Sequence, residues 1–120
     1  MSKKKQETGK TGEILAVQHL LDHGYDILET NFRCYLGELD IVARENNTLI
    51  FVEVRAKTGK KFGSALESIT AEKSRRLKRL ASFYMRQQYH KELSCRIDFI
   101  ALQLSKYDYS LEQIDHIKGI

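Results

Sequence analysis

The stretch from Gly37 to Lys57, GELDIVARENNTLIFVEVRAK, constrains the fold most, because two β-branched and aliphatic runs flank a short polar turn. Glu45-Asn46-Asn47-Thr48 is turn chemistry, since asparagine tolerates the left-handed backbone of a tight hairpin. A two-residue loop at Asn46-Asn47 and a four-residue loop from Glu45 to Thr48 give the same antiparallel register, with paired residue numbers summing to 93. That register sets Leu39 opposite Val54, Ile41 opposite Val52 and Ala43 opposite Ile50, an aliphatic face fit for burial. On the other face Val42 meets Phe51, Asp40 meets Glu53 and Glu38 meets Arg55, with Lys57 one step beyond.

Two carboxylates are therefore predicted to face each other across the hairpin. Facing Cβ atoms lie about 5 Å apart, where two unit charges repel by roughly 3 kcal/mol at an effective dielectric of about 20. A shared proton, the cations Arg55 and Lys57, or a divalent ion such as Mg²⁺ held by both carboxylates would each offset that repulsion.

The remainder of the chain reads as support for this hairpin. At 120 residues without proline it is long enough for one core and too short for two. No apolar run approaches the roughly 20 residues of a membrane span, so no membrane role is expected. MSKKKQETGK carries a positive run without an apolar segment behind it, so no secretory signal is read. Cys34 and Cys95 lack metal-ligand spacing and suit a reducing cytoplasm. A net charge of +4 fits a polyanionic partner without requiring one.

Residues 1–8 read as a flexible basic arm, and residues 9–120 as a single domain. A first helix starts at a Thr8 or Thr11 cap and ends at Gly24, with Ile14, Val17, Leu20 and Leu21 as its apolar stripe. Glu13 falls within that stripe, where it either favours the helix dipole or points at a site. Tyr25 to Phe32 reads as a strand leading into the hairpin. Thr58 to Gly63 is a basic, glycine-containing connection, suited to a mobile loop over phosphates or equally to a plain surface loop. Ser68 to Tyr89 reads as the longest helix, with Thr70 as N-cap and Leu77, Leu80, Ala81 and Tyr84 facing the core. Lys73 lies on that core side, either reaching out to water or meeting a partner. Cys95 to Leu102 is a strand of parallel-sheet type, and Gln113 to Ile120 a final short strand after a turn at Lys106 to Ser110.

The order αβββαβ, with room for one more C-terminal strand, predicts an α/β fold: a mixed sheet flanked by helices. With Glu13, Asp40, Glu53 and Arg55 at their spacing, it resembles the restriction-endonuclease-like superfamily, whose motif is an Asp in one strand and Glu-x-Lys in the next. GELDIVA, IFVEVRAK and a lysine-bearing helix resemble the bacterial YraN family, similar in turn to archaeal Holliday junction resolvases.

The resemblance spans about residues 9–103. It implies Asp40 and Glu53 as ligands of Mg²⁺ or Mn²⁺, the Val54 carbonyl as a third ligand and Glu13 as an outer carboxylate. Arg55 stands where the superfamily has lysine, and arginine stays protonated, so it positions or stabilises charge rather than accepting a proton. Lys57 or Lys73 is left to supply the missing ammonium, with Lys73 preferred. The implied activity is metal-dependent phosphodiester hydrolysis on nucleic acid, expected to be branched or otherwise structured DNA. Phosphates would be gripped by Lys57, Lys60, Lys61, Arg75, Arg76 and Arg79, and a homodimer would match the two scissile strands of a junction. The alternative is a catalytically inactive module on the same fold that binds nucleic acid or a protein partner.

Overall fold

The structure, a computed structural model, describes residues 3–59, 67 and 69–120. Among these residues a five-stranded sheet is covered by one helix on each face. Its elements are α1 (Lys3–Asp22), β1 (Asp26–Cys34), β2 (Gly37–Glu45), β3 (Thr48–Thr58), α2 (Ala71–Tyr89), β4 (Cys95–Leu104) and β5 (Leu111–Lys118). The strands lie side by side in chain order. All pairings are antiparallel except β3 with β4, where α2 lies between the two strands in sequence, as a parallel connection requires. The expected α/β fold with a mixed sheet, including the extra C-terminal strand, is the observed one.

The two helices divide the core. α2 packs Leu77, Leu80, Ala81, Tyr84 and Met85 on Phe32, Leu39, Val42, Leu49, Phe51 and Ile97. On the opposite face, α1 sets Ala16 and Leu20 on Ile41, Ala43, Ile50, Val52, Ile100 and Leu102. α2 begins as its sequence prescribes, with Thr70 in extended conformation and its hydroxyl accepting the Lys73 N–H at 3.1 Å.

α1 departs from expectation in three ways. It is helical from Lys3, so residues 3–8 are not a loose arm: lysine, glutamine and glutamate are good helix formers and no proline interrupts them. At 20 residues it outruns α2, at 19. Its buried line is Thr8, Gly12, Ala16 and Leu20, whereas Ile14 and Leu21 are 63% and 48% exposed. The reason is close approach: a Cβ on Gly12 would stand 2.4 Å from the Ala56 Cβ, so only the line of small residues lets helix and sheet meet. At its far end Gly24, at φ 85°, closes the helix, with the Tyr25 N–H returning to the Leu20 carbonyl at 3.0 Å.

β2 and β3 pair in the predicted register, from Glu45 with Thr48 to Ile41 with Val52. One expectation on this hairpin fails. Leu39 lies in the cluster under α2 with Val42, three residues on, so the alternation of faces breaks between them. The break coincides with Asn31 of β1, held at φ 56° between the pairs Thr30–Ile41 and Phe32–Leu39. A left-handed residue in a strand turns the following side chain over. Phe32 and Leu39 thereby join the α2 side, and Asp40 sits at the break.

Candidate functional site

Asp40 uses its position at the irregularity to reach β3. Its Oδ2 accepts the Val54 backbone N–H at 2.8 Å, filling the place of a ladder bond past Ile41–Val52. The Asp40 carboxyl also lies within hydrogen-bond reach of Glu53. Glu53 itself is buried. Burial, then the Glu53 charge, pushes the Asp40 pKa up to about 7, against the lowering effect of the Val54 N–H. In the isolated protein, near neutral pH, a proton on Asp40 relieves the repulsion expected from the sequence.

Three cations converge on the other carboxylate. Arg55 Nη2, Lys73 Nζ and Arg76 Nη2 stand 3.6, 3.8 and 3.9 Å from Glu53 Oε2. Arg55 comes from the same strand face as Glu53, and the other two come from the first two turns of α2. Lys73 is mostly enclosed, and burial, then the Arg55 charge, lowers its pKa, partly opposed by Glu53. Its ammonium therefore releases a proton more readily than an ordinary lysine.

Glu13 arrives from the other side. The Gly12–Ala56 contact fixes the first half of α1 against β3, and the next residue, Glu13, accepts a hydrogen bond from Asn31 Nδ2 at 2.7 Å. Burial raises the Glu13 pKa, the Asn31 bond lowers it, and Glu38 adds a smaller upward push. Its charge contributes to the raised pKa of Asp40. The left-handed Asn31 thus ties the outer carboxylate to the strand irregularity that aims Asp40.

The structure brings Asp40, Glu53, Arg55 and Lys73 together and sets Glu13 beside them. Glu38 does not meet Arg55 as the register implied; it pairs with Arg33 at 3.0 Å across β1 and β2. Lys57 lies half-buried, two residues beyond Arg55 on β3. Arg75 and Arg79 are exposed on α2, and Lys60 and Lys61 lie outside the described residues. Arg76, expected only among the phosphate-gripping arginines, also reaches the acid pair. Its spacing of three from Lys73 was the available signal, because residues three apart on a helix share a face.

Among the described residues no group of three or more His, Cys, Asp or Glu side chains is arranged to hold a metal ion. Two carboxylates within hydrogen-bond reach, with Asp40 near its neutral point, still fit a hard divalent ion. Mg²⁺ commonly takes one or two carboxylates and keeps water in its other positions.

Fold and site together define an α/β/α domain in which a strand-borne acid pair is faced by cations of its own strand and of the helix above it. The model of the uncharacterised protein family UPF0102 matches residues 12–102, and this chain belongs to that family. A UPF0102 protein of Desulfitobacterium hafniense (strain Y51) is 44% identical over the full length of both chains. One from Caldicellulosiruptor saccharolyticus is 45% identical over 84% of this chain and 86% of its own length. A third, from Moorella thermoacetica, is 39% identical over 99% and 98%. Among the described residues no helix is long and apolar enough to cross a membrane.

Proposed function

We propose that this protein is a divalent-metal-dependent nuclease of the restriction-endonuclease-like kind, acting on structured nucleic acid, with branched DNA the expected substrate. The observation that carries the reading is the Asp40–Glu53 pair: two carboxyls in mutual reach, one at about pKa 7, faced by Arg55, Lys73 and Arg76. A perturbed carboxyl beside convergent cations is a costly arrangement for a site with no task.

Asp40 and Glu53 would hold Mg²⁺ or Mn²⁺, with the Val54 carbonyl as a further ligand and Glu13 as an outer carboxylate. Such an ion supplies a Lewis acid for phosphoryl oxygens and lowers the pKa of water. Lys73 places an ammonium beside the acid pair, where it would stabilise negative charge building on the phosphoryl oxygens. Arg55 and Arg76 position the phosphate, since guanidinium stays protonated. Lys57, Arg75 and Arg79, with Lys60 and Lys61 in the neighbouring connection, grip the backbone through charge. A homodimer would present two such sites to a four-way junction.

A second reading is favoured by the same cations. Three positive groups already neutralise Glu53 and one of them replaces the superfamily's lysine, as in a binding module that does not cut. One experiment separates the two. Wild type and Asp40→Asn are incubated with junction, flap and duplex DNA in Mg²⁺, Mn²⁺ or EDTA, and binding is followed by anisotropy across a salt series. The nuclease reading expects metal-dependent cleavage that Asp40→Asn abolishes while salt-sensitive binding persists. Binding without cleavage in any metal leaves the module, and no binding at low salt refutes both.

A further inference from the structure

A second polar centre lies on the opposite face of the sheet from Asp40 and Glu53, where α1 ends beside β5. Asp98 of β4 is fully buried and accepts four hydrogen bonds: Arg96 Nε at 2.8 Å, Arg96 Nη2 at 2.9 Å, His116 Nε2 at 2.7 Å and the Gly119 N–H at 3.1 Å. An ionised carboxylate only accepts, so His116 carries its proton on Nε2 and, when neutral, presents a lone pair at Nδ1. Nδ1 stands 3.2 Å from Nε2 of His19. His23, one turn on, donates from Nδ1 to the His19 carbonyl at 2.7 Å, which leaves the lone pair of the neutral ring at Nε2. A cavity of about 250 Å³ opens here, lined by His19, His23, Tyr25, Glu45, His116 and Lys118.

We propose that His19 Nε2 and His116 Nδ1 are two protein ligands of a borderline-soft divalent transition-metal ion, with Zn²⁺ as the reference case. An ion about 2.1 Å from each nitrogen subtends roughly 100° across their 3.2 Å separation, near the tetrahedral angle. Asp98 stands behind His116 as the carboxylate that fixes the tautomer and orientation of a ligating imidazole. The remaining positions open onto the cavity, where water completes the shell. Imidazole donors select this ion class over the Mg²⁺ suited to carboxylates, so the two centres take different metals. The ion would fasten the last turn of α1 to β5, two residues 97 apart in sequence.

A plain hydrogen bond from His19 to His116 has the same separation, and titration separates the two. Full-length Asp40→Asn protein, which lacks the acid pair's contribution, is titrated with Co²⁺ at pH 7.5 and back-titrated with Zn²⁺. The proposal expects one equivalent with visible d–d absorption, displaced by Zn²⁺, and a melting midpoint raised by about 10 °C at a hundredfold excess of ion over its Kd. His19→Gln, which keeps a polar side chain at a half-buried site, should weaken binding at least tenfold. Long-range ¹H–¹⁵N imidazole spectra with Zn²⁺ should shift His19 Nε2 and His116 Nδ1 while His116 Nε2 stays protonated, a readout that needs no variant. Absence of binding in the parent, equal affinity in His19→Gln, or unmoved imidazole nitrogens would each overturn the proposal.

Discussion

Asp40 has a proton affinity tuned by its surroundings, and its linkage to stability has a definite sign. Burial, then Glu53, lift its pKa from 3.8 to about 7, so folding favours its protonated form. The corresponding stability is complete below about pH 4 and is lost as pH rises through 7. Asn at this position keeps an acceptor for the Val54 N–H and never ionises. Asp40→Asn should therefore melt higher than wild type by less at pH 5 than at pH 8, where the difference reaches roughly 3 kcal/mol, in EDTA. Equal melting at pH 8 would show that Asp40 is not held near neutrality. Glu53→Gln should behave oppositely, costing about 1–3 kcal/mol at both pH values, because Arg55, Lys73 and Arg76 lose their shared counter-charge. Asp40 and Glu53 were legible from the hairpin register, and Glu13 and Lys73 because each falls on the core side of its helix. The turning over of Leu39 was not, since it depends on the left-handed backbone of Asn31, an ordinary strand residue on paper.

At the scale of elements, the two helices were legible to different degrees. α2 announces itself through Thr70 and a stripe of large residues that all reach the core. α1 does not, because hydropathy selects the largest apolar side chains while a helix lying close on a sheet selects the smallest. Ile14 and Leu21 read as core and are exposed; Gly12 and Ala16, outside the predicted stripe, are the contact. The same contact places Glu13. Gly12→Val should cost about 1–3 kcal/mol in urea unfolding, since its Cβ meets a methyl anchored to the backbone of β3. Ala56→Gly in that background should restore part of the loss, and a double-mutant cycle measures the coupling. Full additivity of the two changes would mean that helix and strand do not touch there. The hairpin was legible from its turn and β4 from its apolar run, while β5 was read from the turn before it, two residues late at each end.

Across the whole molecule, the two aspartates on opposite faces have opposite linkages. Burial raises the pKa of Asp98, but its hydrogen bonds from His116, Arg96 and Gly119 outweigh that and leave it lowered. Its contribution is present above the unfolded value near 3.8 and is lost as pH falls through the lower folded one. With Asp40 acting in the other direction, wild-type stability should peak near about pH 4 and decline toward pH 7, and Asp40→Asn should flatten that decline alone. A profile still rising beyond pH 8 would contradict this. The order of elements and the mixed sheet were readable from periodicity; the Asp98–His116–His19 chain was not, since its members are far apart in sequence. The sheet's chain-order layout also bears on synthesis. As the polypeptide leaves the ribosome, β1, β2 and β3 emerge before the helix that bears Lys73 and Arg76. The nascent meander carries its paired acids without those cations, and its apolar face lacks the α2 cover. Commitment to the native state therefore waits for the second half of the chain.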